Sequence, residues 1–172
     1  LLSYISTRNQ YGTYVVRMED IDLQRSKRSF GEALLDDLEW LGFEWDEGPR
    51  VGGPESSYWQ SERLPMYDEV LQRLEDVGLI YPCFCNRTRL QSIASAPHRG
   101  EVVHHYDGHC RSLDSTTVRL KRLEKNPSMR IKVTDSTMDF NDIYQGPQHF
   151  VLCQGVDDFV LRRGDGMYAY NL

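Results

Sequence analysis

The sequence predicts an α/β protein: a body built on a parallel sheet, interrupted by a smaller basic α+β insertion. Three observations carry this expectation. The first 80 residues run strand, helix, loop, helix, strand, an order that produces parallel pairing through crossover helices. From about residue 81 the pattern changes to short, alternating, antiparallel-like segments. The charge also changes sign there: residues 86–132 hold ten Lys/Arg against four Asp/Glu, a net +6, while the remainder holds ten against twenty-two, a net −12. Such asymmetry points to a division of labour between segments. The predicted boundaries are 1–80 for the first part of the body, 81–150 for the insertion and 151–172 for the returning strands.

The elements come in this order. "TYVVRMED" reads as a strand, apolar over Tyr14, Val15 and Val16, that ends in the polar cluster Arg17, Glu19, Asp20 and Asp22. "SFGEALLDDLEWLG" is an amphipathic helix with capping-box spacing at Ser29 and Glu32. Phe30, Leu34, Leu38 and Leu41 share one face, and Gly42 can terminate it. A Gly/Pro-rich loop comes next, then a helix over roughly 62–77 with Tyr67, Val70, Leu71, Leu74 and Val77 inward and Gly78 at its end. "LIYPCF" is a short strand, and "NRTRLQSIAS" a short helix capped by Asn86. "TTVRLK", "SMRIKV" and "MDFNDIYQG" alternate like strands, and "DDFVLRRGDGMYAYNL" reads as two strands around Gly164-Asp165-Gly166.

Composition sets limits. The chain has 172 residues, 40% of them hydrophobic and 27% charged, and a net charge of −6. It carries no apolar run of about 18 residues that would span a membrane and no signal-peptide pattern. Its four cysteines are too few for a disulfide-dense secreted scaffold, so a reducing cytoplasm is expected. A start without methionine and an end in "YNL" suggest a chain cut from something longer. The overall acidity argues against nucleic acid, but the basic segment 86–132 could meet phosphates or be a solvated surface.

Cys83, Cys85 and Cys110 are candidates for a metal site. Zinc takes about four tetrahedral ligands, usually thiolates and imidazoles. One residue between Cys83 and Cys85 is feasible in an extended strand turning at a metal, whereas a disulfide between them would be severely strained. The fourth ligand would come from His104, His105, Tyr106 or His109; phenolate is the unusual choice, needing its proton removed by the metal's field. Three thiolates plus a fourth ligand make a closed, structural site. The alternative is buried free cysteines, and Cys153 in "FVLCQ" reads as a core residue.

"RMEDID" places three carboxylates and an arginine at a strand's end, where ligands collect in open α/β sheets. A carboxylate there could bind a ligand's ammonium group, or simply cap the next helix. Tyr168 and Tyr170 alternate on the last strand, so one could face a ligand.

In their order and spacing, "VVRMEDID", "DDLEWLGFEWDEGP", "YWQSERLPMYDEVLQRLEDVGLIYPCFCNRTRL", "YDGHCR" and "DDFVLRRGDGMYAYNL" resemble the catalytic part of the glutamyl-tRNA synthetase superfamily, class I, through nearly the whole chain. The resemblance implies a class I synthetase Rossmann-type sheet with an inserted zinc-binding subdomain. The likeness is closer to the glutamyl-Q tRNA(Asp) synthetase branch, whose zinc motif is Cys-x-Cys followed by Tyr-x3-Cys. That motif matches Cys83, Cys85, Tyr106 and Cys110, although the 20 residues between Cys85 and Tyr106 are long for it. Zinc-binding discriminating glutamyl-tRNA synthetases place a histidine two residues after the last cysteine, where this chain has Ser112.

The resemblance implies a two-step reaction. The α-carboxylate of glutamate attacks the α-phosphate of ATP, accompanied by Mg2+, to give glutamyl-adenylate and pyrophosphate. Glutamate is then transferred to tRNA, in the glutamyl-Q branch to the queuosine base of tRNA(Asp). Carried onto this chain, Glu19 and Tyr170 would bind substrate glutamate. The branch's HIGH-type and KMSKS-type ATP signatures are expected before and after these residues, so residues 1–172 alone are expected to form little adenylate. A monomer is expected. The competing expectations are a glutamyl-tRNA synthetase charging tRNA(Glu) and a zinc-stabilised tRNA-binding module without catalysis.

Overall fold

In the computed structural model, which describes residues 1–55, 57–94 and 106–172, helix α2 (Arg28–Trp40) lies where its amphipathic pattern predicts but buries a different face. Of the predicted face, Phe30, Leu34 and Leu41 are exposed and only Leu38 packs inward. Leu35 is instead completely buried, among Met18, Trp45 and Trp59. The reason lies at Gly31, where a Cβ would stand 2.6 Å from the Trp59 ring. The missing side chain lets α2 approach the indole along Gly31, Leu35 and Leu38, a line of i, i+4 and i+7 positions.

The capping box expected at Ser29 and Glu32 does not form: the N-cap is Lys27, without a side-chain bond, and Glu32 is drawn to Arg28 and Arg50 instead. The far end matches expectation. Gly42 adopts φ +81°, its N–H bonds the Glu39 carbonyl and the Phe43 N–H bonds that of Leu38, which closes the last turn.

A Gly31→Ala substitution sets two effects against each other. Helix propensity favours alanine by about 1 kcal/mol, but a methyl pressed on a rigid, buried ring costs about 1–3 kcal/mol. The clash is with the ring's own atoms rather than a flexible tip, so packing wins. The expected result is a lower urea midpoint; a midpoint that rises would show that Trp59 moves aside freely.

Chain contacts divide the protein into two compact units, Leu1–Glu69 and Val70–Leu172, with the boundary inside α3 (Leu64–Asp76). In the first unit, α1 (Leu2–Asn9) is tied down by an Arg8–Asp46 ion pair at 2.8 Å. Residues 14–18 cross the core extended, with Tyr14, Val16 and Met18 inward. Their backbone forms two isolated parallel bridges, Val15 to Glu47 and Met18 to Trp59. A 3-10 turn, Gln60–Arg63, leads into α3.

The second unit is built on a three-stranded sheet of order β1 (Ile80–Cys83), β2 (Ser128–Ile131) and β5 (Val160–Arg162). Strands β3 (Ser136–Asp142) and β4 (Gly146–Leu152) form a separate hairpin. All these ladders are antiparallel. Among the described residues, the predicted parallel pairing is therefore confined to the two single-residue bridges of the first unit. On α3, Leu71 is buried and Tyr67 and Leu74 half-buried, but Val70 and Val77, expected inward, are exposed. Gly78 ends the helix at φ +71°.

Two further expectations change. "TTVRLK" is not a strand but part of helix α5 (Ser115–Glu124). Asp114 caps it, accepting the Thr117 N–H at 2.9 Å and the Thr117 hydroxyl at 2.6 Å. The alternation of Val118 and Leu120 that suggests a strand leaves Leu120 facing outward. Cys153 is exposed rather than core, because β4 ends at Leu152 and the chain turns there, the Cys153 N–H donating to Asp157. No described helix is long and apolar enough to cross a membrane.

Candidate functional site: a thiol cluster and an acidic cavity

In the second unit, β1 and the turn after it bring Cys83 and Cys85 against Tyr106 and Cys110. Cys83 closes the ladder with β2 at Ser128, and Asn86 caps helix α4 (Arg87–Ala94) by accepting the Arg89 N–H at 2.8 Å. The two cysteines therefore sit on a short turn fixed at both ends. Cys110 comes after a tight turn at Gly108 (φ +68°), and its N–H donates to the Tyr106 hydroxyl at 2.8 Å.

The three sulfurs lie within 4.8 Å of one another. Cys85 Sγ and Cys110 Sγ are 3.7 Å apart, and the Tyr106 Oη is 3.5 Å from Cys83 Sγ and 3.9 Å from Cys85 Sγ. A tetrahedral zinc with bonds of about 2.3 Å to sulfur requires edges of about 3.8 Å. The spacing and the donor set thus fit a metal ion. Cys83, Cys110 and Tyr106 are each only 3% exposed, so such a site would be closed to substrate.

Electrostatics distinguish the members. Burial works to raise the Cys83 thiol, but the neighbouring Tyr106 hydroxyl, Cys85 backbone and Arg130 guanidinium outweigh it and lower its pKa. Cys85 is pushed up to about 11 by burial and by the neighbouring Cys83 and Cys110. Tyr106 is held well above the usual phenol range by burial and by Cys83. A bound dication favours release of the thiol and phenol protons.

Of the other candidate ligands, His109 is exposed and its backbone N–H bonds the Asp107 carboxylate. It borders, with Phe84, Arg89 and Lys121, a cavity of about 220 Å3 beside Cys85 and Cys110. His104 and His105 lie outside the described residues.

The cluster rests on a buried network that no pattern in the sequence announces. Asp158 is 2% exposed and accepts from Tyr81 Oη at 2.7 Å, from Arg111 Nη1 at 2.5 Å and from the Val133 N–H at 2.7 Å. Arg130, 7% exposed, donates to the Asp158 carbonyl at 2.6 Å. Nothing in "GVDDFVL" separates Asp158 from its neighbour Asp157, since both are aspartates beside a turn.

In the first unit the three carboxylates of "RMEDID" diverge in use. Asp20 accepts the Ser61 N–H at 2.9 Å and its hydroxyl at 2.6 Å, and so caps the 3-10 turn. Asp22 accepts the N–H groups of Gln24 and Arg25. Glu19 takes part in neither. It pairs with Arg17 at 2.8 Å, is half exposed and faces a cavity of about 380 Å3 shared with Met18, Lys27, Phe30 and Trp59. In the second unit Tyr168 is buried, with the Arg162 guanidinium 5.6 Å from its ring, whereas Tyr170 is 82% exposed.

Comparison with known proteins gives the family. Residues 1–172 match the family model of the class I tRNA synthetases (E and Q), catalytic domain. The whole chain aligns at 41% identity with a glutamyl-Q tRNA(Asp) synthetase of Nitratidesulfovibrio vulgaris and at 42% with one of Symbiobacterium thermophilum, covering 53% and 54% of those proteins. It aligns at 36% with a glutamate–tRNA ligase of Streptomyces coelicolor, covering 35% of it. The chain thus spans about half the length, or less, of these relatives. A crystal structure of a glutamate tRNA ligase from Elizabethkingia meningosepticum, in complex with its amino acid, superposes over 98% of the chain and 35% of that protein with a TM-score of 0.74 at 29% identity. The mixed helix-and-sheet fold is therefore that of a synthetase catalytic domain, and the chain belongs to the class I glutamyl- and glutaminyl-tRNA synthetase family.

Proposed function

We propose that these residues are part of an enzyme that activates glutamate with ATP and transfers it to the queuosine base of tRNA(Asp), and that the thiol cluster holds a structural zinc. The observation that carries the reading is the convergence of Tyr106 with Cys83, Cys85 and Cys110, in a chain whose relatives at 41% and 42% identity are named glutamyl-Q tRNA(Asp) synthetases. The zinc would be held by these four side chains and would supply folding stability without taking part in the reaction. Free thiols are needed for it, which suits a reducing cytoplasm.

The division into residues 1–80, 81–150 and 151–172 belongs to the same reading. In it the segment 81–150 would contribute β2 to a sheet shared with β5 of the returning segment. The basic residues of 86–132 would meet tRNA phosphates. ATP would be bound with its Mg2+, and its reaction would depend on positioning and charge.

In this reading Glu19 and Tyr170 bind substrate glutamate, Glu19 through its ammonium group. Asp20 borders the same cavity, but its carboxylate is committed to Ser61 and that of Asp22 to a turn, which leaves Glu19 as the carboxylate of the motif not holding a backbone N–H. Replacing Glu19 with glutamine removes a charge-assisted bond worth about 1.5–3 kcal/mol. The expected result is a KM for glutamate raised about 10–100-fold, with that for ATP unchanged.

The test uses the full polypeptide carrying these residues. Glutamate-dependent ATP–pyrophosphate exchange is expected, with subsequent transfer of labelled glutamate to tRNA(Asp). Transfer to tRNA(Glu) instead would favour the glutamate–tRNA ligase relatives, and absence of exchange would leave a tRNA-binding module.

A further inference from the structure

A guanidinium buried in the core needs an opposite charge nearby, because an uncompensated buried ion costs several kcal/mol. Arg130 is 7% exposed and, among the described residues, forms no ion pair with a carboxylate. Asp158 gives it only a main-chain carbonyl, at 2.6 Å, while the Asp158 side chain is taken by Arg111, Tyr81 and Val133. Among the described residues, the Arg130 Nε is buried without a hydrogen-bond partner.

The guanidinium faces the thiol cluster. Its Cζ lies 4.0 Å from the centre of the Tyr106 ring, and its charge acts to lower the pKa of the Cys83 thiol. Both of these groups belong to the set that would hold the metal. Three thiolates and a phenolate carry four negative charges, and a zinc dication cancels two. A site of that composition is left with a net charge of −2, the counterpart of a buried cation that has no carboxylate partner among the described residues.

We infer that Arg130 is the counter-charge of the metal centre, a positioning residue that makes the anionic four-ligand set, with its tyrosine, hold a dication tightly. The inference rests on the proposed zinc site. Planarity matters to it: the guanidinium lies over the Tyr106 face while donating to the Asp158 carbonyl, and a lysine ammonium cannot stack in this way. Arg130 sits on β2, paired with Tyr81 of β1, so the strand register places it.

The test compares Arg130→Met and Arg130→Lys with the unsubstituted protein. Zinc is removed by competition with a chromogenic chelator, and the cobalt-loaded protein is examined in the near ultraviolet. The zinc content of the unsubstituted chain tests the site itself; about one per chain is expected, and none would remove the ground for the inference by refuting the site. Given that zinc, Arg130→Met is expected to weaken retention about 10–100-fold, the range for partners of metal ligands, and Arg130→Lys to recover part of it. The sulfur-to-cobalt charge-transfer band is expected to move to longer wavelength in Arg130→Met, because a thiolate without its neighbouring cation gives up an electron more easily.

A merely structural role would lower the unfolding midpoint of the chelator-stripped protein without moving that band. If Arg130→Met does not fold, Tyr106→Phe keeps the ring under the guanidinium and removes the phenolate; its zinc loss is then expected to be smaller in Arg130→Lys than in the Arg130 background. Retention and an absorption band unchanged in the Arg130 variants would overturn the inference.

Discussion

A Cys110→Ala chain purified without chelator is expected to retain almost no zinc, against about one ion per chain in the unsubstituted protein. The loss is large because a structural zinc site contributes its binding energy directly to folding, about 10–16 kcal/mol for small zinc-dependent folds. Here the cluster adjoins a sheet with its own buried residues, Ile80, Met129 and Leu161, so a smaller effect of several kcal/mol is expected. Two contributions are mixed in the alanine variant, since Cys110 Sγ also accepts the Phe84 N–H at 3.4 Å. Cys110→Ser keeps an acceptor there while offering zinc a poor ligand. Elemental analysis and thermal unfolding of both variants, with and without chelator, separate the two. Zinc retained at full stoichiometry in either would exclude Cys110 as a ligand.

An Asp158→Ala chain is expected to be destabilised by about 3–5 kcal/mol, the cost of leaving a buried charge without its partner. The side chain of Asp158 is fully buried, that of Arg111 is 15% exposed, and Arg111 also bonds the Val133 carbonyl at 2.9 Å. Removing the carboxylate strands a guanidinium, the Tyr81 hydroxyl and a backbone N–H together. Asp158→Asn preserves the shape and some of the bonds, so its cost should be smaller, and the difference between the two measures the charge. Urea unfolding of chelator-free protein provides the numbers; a loss below about 1 kcal/mol would mean that water replaces the carboxylate.

The same group sets a pH dependence. Burial acts to raise the Asp158 carboxyl, but Arg111, Tyr81 and the Val133 N–H outweigh it, so the folded value lies below the ordinary one. Its contribution to stability is therefore complete above the unfolded pKa of about 3.9 and is lost as pH falls through the folded value. Acid unfolding of Asp158→Asn should be flatter than that of the parent in this range.

Much of the local structure was legible in the residues. The helices of residues 28–40 and 64–76 obey apolar periodicity, and Gly42 and Gly78 end them with positive φ, as their positions predict. Asn86 caps the short helix after the cysteines. Which face of α2 is buried was not legible, because it depends on a glycine fitting against Trp59, 28 positions away. The helix at 115–124 was masked by its Val118 and Leu120 alternation, a pattern that a capping aspartate overrides.

By itself, the sequence determined the family, through long motifs in fixed order, and the donor types of the cluster, because cysteine and tyrosine chemistry is carried by residue identity. Only the tertiary structure decided which groups meet. It brought Tyr106 to within 3.5 Å of Cys83 across 22 intervening residues, and left His109 on the surface. It committed Asp20 and Asp22 to turns and turned Glu19 to a cavity. It buried Asp158 and Arg130, which in the sequence are ordinary charges. Spacing limits only how far apart two residues can be; burial and partnership come from packing between distant segments, and that is where an ordinary charge acquires a role.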